Sequence, residues 1–460
     1  MKKFVIKTKR DFPSVEILSN IKEIVSASGD LPKPLVIETI RDSVEKLKND
    51  LSEYSGGIKS DLLIDRIISE IQLFRLKKVG RVINGTGILV HTNLGRAPLS
   101  EELFNRIKGQ ITGYGNLEFD VSSGKRGRRG ELAERYLSMI SGSESGAIVN
   151  NNAAALFLIL NSFANRRKVV ISRSELVQIG GGFRIPDIIK RAGAKLIEIG
   201  TTNITSLKDY EESLEQKPAM ILKVHRSNFA LTGFTDEPDI KSLVKLGIKH
   251  GIPVVNDLGS GVLIDTLKII GLKEPSVQMS VRDGAQITCF SGDKLLGGVQ
   301  AGLIVGEKDY ITRIKMNPLY RALRVDKIVF SALEELLGYY LNGSWVNKIK
   351  LWRLASLTEK DLISRGKAII KLIGKTDKLS LEKSEGEMGG GSLPDVKIPS
   401  MAIVFHSQQN PQKIARCFRE INPPIIGRIS ENRFLIDLRA IDNDEFELLA
   451  SQIKTVIEKL

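Results

Sequence analysis

The chain has 460 residues, which is enough for two or three domains and for a large core without disulfide bonds. Hydrophobic residues make up 42% of it, and its apolar runs are much shorter than the roughly 18 residues that span a bilayer, which excludes a membrane-spanning protein. The 68 lysines and arginines against 54 acidic residues give a net charge of +14, which favours a polyanionic partner, with nucleic acid as the leading candidate.

Neither metal binding nor secretion is predicted. Cys289 and Cys417 lie in no CxxC motif, and the four histidines form no HxH or HxxxH pair, so we expect no thiolate or histidine metal site. The first residues are basic, but the apolar stretch of a signal peptide does not follow them. A cytoplasmic protein is therefore expected.

Residues 1–78 have the pattern of a small helical domain. Apolar residues recur at intervals of three and four over 36–47 and 62–73, as they do on the buried face of a helix. Prolines and the Ser55-Gly56-Gly57 stretch separate these helical segments.

From residue 79 to about 330, short β-branched runs alternate with glycine-rich turns and helical stretches. Six runs predict buried strands of a mostly parallel sheet: 147–149, 169–171, 196–199, 220–224, 253–256 and 286–289. The last part, 331–460, begins with helix and continues as a smaller α+β domain with strands at 401–405 and 434–438. The sequence thus predicts an α/β protein with domains 1–78, 79–330 and 331–460.

The most specific candidate for chemistry is Lys294, which follows the strand at 286–289 and lies among small residues. Partial burial would ease deprotonation of its amine, and the nearby glycines would admit a flat ring, so the lysine could form a Schiff base with a carbonyl cofactor. Asp257 ends another strand, where its carboxylate could keep a pyridinium nitrogen protonated.

A possible phosphate site lies at a strand-to-helix junction. Asn151, Asn152 and Ala153 form this turn, and Ser291 precedes the lysine by three residues. Backbone N–H groups at a helix start, together with a hydroxyl, are suited to binding a phosphate.

Each of these features also has an ordinary structural explanation. Most lysines after a strand are solvated, strand-end aspartates usually cap helices, and asparagine-rich turns are commonly only turns. The order of the three features on one α/β body favours a pyridoxal-phosphate site. No GxGxxG motif follows an early strand and no Walker A sequence occurs, so dinucleotide and nucleotide-triphosphate sites are disfavoured.

A series of ordered motifs runs through nearly the whole chain. They are RVINGTG from Arg81, HTNLGRAPL from His91, VNNNAAA from Val149, ELV from Glu175, FRIP from Phe183, GTTN from Gly200, SGDKLLGG from Ser291, GRI from Gly427 and LIDLR from Leu435. Together they resemble the motifs of bacterial selenocysteine synthase, the L-seryl-tRNA(Sec) selenium transferase family. The chain departs from the family pattern at Ser174, Gln178 and Val299, where glycine, glutamate and proline are expected.

The resemblance implies a fold-type-I enzyme that depends on pyridoxal 5'-phosphate and assembles as a homodecamer, a pentamer of dimers, with active sites at the dimer interfaces. It implies conversion of L-seryl-tRNA(Sec) to L-selenocysteinyl-tRNA(Sec) with selenophosphate, by elimination of water and addition of selenium. In that reaction Lys294 would remove the Cα proton, Asp257 would hold the cofactor ring, and Asn228 would donate to the ring hydroxyl. Residues 1–78 would form the tRNA-binding domain.

The same resemblance places Arg96, Arg321 and Arg324 at the site of the anionic selenium donor. Arginine suits a phosphate-like anion because its planar guanidinium can donate two parallel hydrogen bonds. Arg321 and Arg324 are three residues apart, so on a helix they would share a face. The basic run 125–129 is a further candidate contact for tRNA or for an anion in the active site.

Two other functions stay open. A pyridoxal-phosphate-dependent lyase of the same superfamily would act on a small amino acid or sugar acid without tRNA, whereas a non-catalytic RNA-binding protein would bind tRNA but no cofactor. The presence of 1–78 favours a tRNA substrate over the first alternative. The intact Asp257, Ser291 and Lys294 argue against the second.

Overall fold

Helices build the first of two units into which the chain divides, and the division lies between Arg81 and Val82. The computed structural model describes residues 4–459, without 392, 394 and 395. The elements of the first unit are β1 (Val5–Ile6), α1 (Val15–Ser19), α2 (Lys22–Ser28), α3 (Lys33–Asn49), β2 (Ile58–Lys59) and α4 (Ser60–Lys77). The two predicted helices are confirmed as parts of α3 and α4, and their apolar faces form one core with α1 and α2. The antiparallel pair β1–β2 was not predicted.

The second unit is an α/β body. Its strands are β3 (Ile83–Asn84), β4 (Ile88–Val90), β5 (Phe119–Asp120), β6 (Lys125–Arg126), β7 (Ser145–Val149), β8 (Lys168–Ser172), β9 (Gln178–Ile179), β10 (Phe183–Arg184), β11 (Lys195–Ile199), β12 (Met220–Val224), β13 (Val254–Gly259), β14 (Ile287–Ser291), β15 (Gly302–Gly306), β16 (Leu379–Gly389), β17 (Lys397–Phe405), β18 (Ile425–Ile426), β19 (Arg428–Ser430) and β20 (Arg433–Asp437).

Helices alternate with these strands along the chain. They are α5 (Glu101–Thr112), α6 (Glu131–Ser141), α7 (Asn152–Ala164), α8 (Ile185–Arg191), α9 (Leu207–Ser213), α10 (Ile240–His250), α11 (Leu267–Ile270), α12 (Val277–Arg282), α13 (Lys308–Met316), α14 (Pro318–Ala322), α15 (Lys327–Leu341), α16 (Trp345–Lys348), α17 (Lys350–Ala355), α18 (Glu359–Ile373), α19 (Pro411–Glu420) and α20 (Phe446–Lys459).

The central sheet has seven strands in the order β11-β8-β12-β13-β14-β15-β7. The six predicted strands are confirmed and run in one direction, and β15 is antiparallel to both of its neighbours. Strand β15 was missed because Leu303, Ile304 and Val305 form only a short apolar run between glycines. A Cβ on Gly302 would lie 2.1 Å from the carbonyl oxygen of Asn151, so a glycine is required where β15 passes the start of α7.

The second sheet has the order β19-β20-β17-β16-β4 and is antiparallel except for the β4–β16 pair. The predicted strands at 401–405 and 434–438 correspond to β17 and β20. Strand β4 pairs in this sheet, and β3 pairs with β18, although sequence analysis assigns 83–90 to the catalytic core. These pairings join the start of the second unit to its C-terminal part.

In the part of the chain that the structure describes, no helix combines the length and the apolar character needed to cross a membrane. The separation of 79–330 from 331–460 as domains stays a prediction.

Candidate active site

Lys294 lies in a tight turn that follows β14, and its side chain is buried. The turn is held on both sides, because Leu295 N–H donates to the Ser260 carbonyl at 2.9 Å and Ala97 N–H donates to the Asp293 carbonyl at 3.1 Å. Burial lowers the pKa of Lys294; the Asp257 and Asp293 carboxylates oppose this shift, and the Arg96 charge adds to it. The amine is therefore easier to deprotonate than that of a solvated lysine.

Gly391 passes close to this amine. Its φ is +83°, and a Cβ built on it would lie 2.7 Å from Cε and 3.1 Å from Nζ of Lys294. The left-handed backbone favours glycine here, and a side chain at this position would displace the end of Lys294. The segment that leaves β16 thus forms one wall of the lysine site.

Asp257 lies on β13 and is also buried. Its Oδ1 accepts hydrogen bonds from Asn152 Nδ2 at 2.8 Å and from Gly259 N–H at 3.1 Å. Burial raises the pKa of Asp257, and these hydrogen bonds together with the Lys294 charge offset part of the rise. Cys289 pairs with Asp257 across the β13–β14 ladder, and burial beside that carboxylate raises the pKa of its thiol well above the ordinary value, so the thiol stays protonated.

The predicted phosphate turn is the start of α7. Asn151 caps this helix, since its side chain accepts from Ala154 N–H at 2.9 Å, and Asn152 turns toward Asp257. Both asparagine side chains are thus engaged within the protein, which leaves the main-chain N–H groups of the first turn, including that of Ala153, as donors. Ser291 is buried at the end of β14.

Arg96 has a positive φ of 68° and forms an ion pair with Asp293, the residue before the lysine. Arg321 lies exposed on α14. The prediction that Arg321 and Arg324 share a helix face is wrong, because α14 ends at Ala322.

The residue that follows α14, Leu323, contacts the turn that precedes α7. The carbonyl of Leu323 accepts a hydrogen bond from Asn150 N–H at 3.0 Å, which brings the loop with Arg324 beside the start of α7. Arg324 Nη1 lies 3.6 Å from Glu118 Oε1. Two members of the basic run 125–129, Arg126 and Arg129, also pair with Glu118, each at 2.8 Å.

Asn228 lies after β12 and is exposed. Its Nδ2 donates to the carbonyl of Gln178 at 2.9 Å, and the Gln178 side chain accepts from Arg184 Nε at 2.7 Å. The contact between Asn228 and Gln178 joins the loop that follows β12 to strand β9. Ser174, another departure from the family pattern, is buried and hydrogen-bonded to Ser172 Oγ at 2.8 Å.

Sequence reasoning missed a buried ion pair near the site. Glu175 is fully buried, with Oε1 2.6 Å from Lys223 Nζ and Oε2 accepting from Val224 N–H at 2.9 Å. Burial alone would lower the pKa of Lys223, but Glu175 and Glu237 together raise it, so the lysine stays charged. The next N–H along, that of His225, donates to the Asp257 carbonyl at 2.8 Å. The sequence contained one signal of this ion pair, namely the charged Lys223 within the apolar run 220–224.

Comparison with known proteins places the chain in a family. Residues 82–442 match the family model described as L-seryl-tRNA selenium transferase. Over 457 residues the chain is 41% identical to L-seryl-tRNA(Sec) selenium transferase of Alkaliphilus oremlandii, covering 97% of this chain and 98% of that protein. Over 432 residues it is 40% identical to the protein of the same name from Aquifex aeolicus, covering 93% and 95%.

Among solved structures, D-glucosaminate-6-phosphate ammonia-lyase is similar with a TM-score of 0.59 at 18% identity, covering 84% of this chain and 98% of that chain. That likeness concerns the fold alone. Together with the mostly parallel central sheet, it confirms the predicted fold-type-I α/β architecture.

Proposed function

This chain belongs to the L-seryl-tRNA selenium transferase family, and we propose that the site around Lys294 carries out the reaction for which that family is named. The activity is the conversion of L-seryl-tRNA(Sec) to L-selenocysteinyl-tRNA(Sec), with pyridoxal 5'-phosphate as the cofactor. Selenophosphate is the proposed selenium donor. The observation that carries the site assignment is a buried lysine of lowered pKa next to a buried carboxylate.

The described residues fit this cofactor. Lys294 would bind its carbonyl carbon, and the absence of a side chain at Gly391 keeps the space beside the amine open. Asp257 would face the ring nitrogen, and Asn228 would donate to the ring hydroxyl. The phosphate would be bound at the N-terminal end of α7 by main-chain N–H groups of Asn152 and Ala153 and by the Ser291 hydroxyl. The buried Oδ1 of Asn152 accepts no hydrogen bond from the described residues, as expected for an acceptor that a bound group completes.

When bound, the cofactor ring withdraws the electron pair that is left when the substrate Cα loses its proton. The unprotonated amine of Lys294 would take that proton, and burial favours this unprotonated form because it lowers the pKa of the lysine. Asp257 holds the proton on the ring nitrogen. The Cβ–O bond of serine would break, and the hydroxyl would take up a proton and leave as water. The selenium of selenophosphate would form the new bond to Cβ, water would cleave the selenium–phosphorus bond so that phosphate is released, and the protonated Lys294 would return a proton to Cα.

The donor anion is proposed to bind to Arg96, Arg321 and Arg324. Arg96 supports this because its ion pair with Asp293 keeps its guanidinium beside the lysine turn. Arg324 supports it because Leu323 ties its loop to the start of α7. A multiply charged anion in a partly dehydrated site needs several such donors.

The tRNA is proposed to bind through residues 1–78, which form most of a unit with its own core. The protein is proposed to assemble as a homodecamer in the cytoplasm. Exposed apolar side chains at Tyr114, Phe119 and Val121 support a partner surface, because large apolar groups concentrated in one short segment favour association.

The decisive experiment is conversion of seryl-tRNA(Sec) by the purified protein with and without selenophosphate. Donor-dependent formation of selenocysteinyl-tRNA is expected, and Lys294→Ala should abolish both turnover and the covalent labelling produced by borohydride reduction of the loaded protein. Labelling of a different lysine would refute the site. Light scattering of the same preparation tests the decamer.

A further inference from the structure

Asn152 is used differently from the way its sequence position suggests. It is the first residue of α7, where the sequence predicts a role in binding the cofactor phosphate. Its Nδ2 instead donates to Asp257 Oδ1 at 2.8 Å. Because the amide group points at the carboxylate, we expect the main-chain N–H of Asn152, rather than its side chain, to serve the phosphate.

This contact determines which oxygen of Asp257 is available. Oδ1 accepts from both Asn152 Nδ2 and Gly259 N–H, and Oδ2 takes part in neither bond. Two donors on one oxygen fix the rotation of the carboxylate. The remaining acceptor capacity of this carboxylate, which the Cys289 thiol also contacts, is available to a bound group.

The other end of the Asn152 amide has no donor among the described residues. Its Oδ1 is buried and receives no hydrogen bond. A buried acceptor without a donor is costly, and such atoms in folded proteins are commonly completed by a bound group. This acceptor is therefore suited to a bound group that carries a hydrogen-bond donor.

We propose that Asn152 is a positioning residue that acts through Asp257: it keeps that carboxylate ionised and turned toward the ring nitrogen of the cofactor. The proposal rests on the proposed function. The groups that face Asp257 from neighbouring elements are Lys294, whose charge favours the ionised form, the Cys289 thiol on β14, and the His225 main chain after β12. Loss of the Asn152 donor removes one of the interactions that oppose the effect of burial on the carboxylate.

The test compares cofactor binding by Asn152→Ala and Asn152→Asp with binding by Asn161→Ala. Asn161 lies on the same helix, and its Oδ1 accepts from Asn317 Nδ2 at 3.0 Å, so this control loses a side-chain hydrogen bond outside the candidate site. Each protein is stripped of cofactor and titrated with pyridoxal 5'-phosphate by fluorescence, from mildly acidic to mildly alkaline pH. Circular dichroism confirms that each is folded.

Asn152→Ala should bind roughly ten- to a hundredfold more weakly, the loss expected for one hydrogen bond to a charged group. On acidification its binding should fail at a higher pH than that of the wild type, because the carboxyl is more easily protonated. Asn152→Asp should bind more weakly still, since it places a second carboxylate beside the first. Asn161→Ala should keep the wild-type affinity and acid midpoint.

Wild-type affinity and an unchanged acid midpoint in Asn152→Ala would overturn the proposal, as would an equal loss in Asn161→Ala. If Asn152→Ala does not fold, Asn152→Ser takes its place, because serine retains a hydroxyl donor. The acid midpoint of cofactor binding by Asn152→Ser must then lie at or above that of the wild type and below that of Asn152→Asp. Failure of the wild-type protein to bind the cofactor would instead refute the proposed function.

Discussion

A methyl group added at Gly391 tests whether the segment after β16 forms a wall of the lysine site. In Gly391→Ala the new Cβ would lie 2.7 Å from Lys294 Cε, closer than nonbonded carbons approach. The end of a lysine side chain is flexible, so we expect the amine to move rather than the backbone.

The substitution Gly391→Ala should have two effects, a loss of folding stability and a loss of turnover. An alanine forced to keep the φ of +83° costs about 1–2 kcal/mol of folding stability. Displacing the amine adds little to that cost but should lower turnover, since a misplacement of about 1 Å can cost on the order of a hundredfold in rate.

Gly374→Ala is the matched control, because Gly374 has a φ of +98° and a Cβ there would meet nothing within 4 Å. Urea unfolding of the two variants should show similar losses of stability. Borohydride labelling of Lys294 and single-turnover rates should fall only in Gly391→Ala. Equal labelling and turnover in the two variants would refute the reasoning.

Three other outcomes are expected. Deleting residues 1–78 should abolish binding of seryl-tRNA, measured by filter binding, while the remaining chain still folds and retains the cofactor; full tRNA affinity would contradict the proposed role of this unit. Arg321→Ala or Arg324→Ala should lose about 1.5–3 kcal/mol of donor binding, or roughly one to two decades in donor-dependent rate, with tRNA affinity preserved and lysine substitutions rescuing only part. Arg96→Ala should raise the pKa of Lys294, because it removes a charge that lowers that pKa, and should therefore move the acid limb of the pH–rate profile to higher pH; an unmoved limb would exclude this electrostatic contribution.

The sequence was sufficient for the features that depend on local pattern. Alternating turns and β-branched runs identified six strands of the central sheet, and the carboxyl ends of such strands are where ligands of α/β folds bind. Lys294 follows one of these strands, and Asp257 ends another. Their proximity therefore follows from the fold class once the strands are assigned.

What the sequence did not reveal depends on long-range contacts. The rotation of Asn152 toward Asp257 needs the distance between α7 and β13, which no spacing along the chain encodes. Extrapolating a helical face from Arg321 to Arg324 failed because the Leu323 carbonyl bonds to a distant turn and the helix ends before it. Strand β16 was missed because its sequence, LSLEKSEGEMG, is mostly polar and does not alternate regularly between apolar and polar residues.

The parallel pairing of β4 with β16 joins Ile88 to Glu387, positions separated by about 300 residues. The ribosome releases the first of these strands long before the second, so a nascent chain holds Lys294 and Asp257 without the wall that Gly391 provides. Folding of this site is consequently completed late in synthesis, after β16 and Gly391 have left the ribosome.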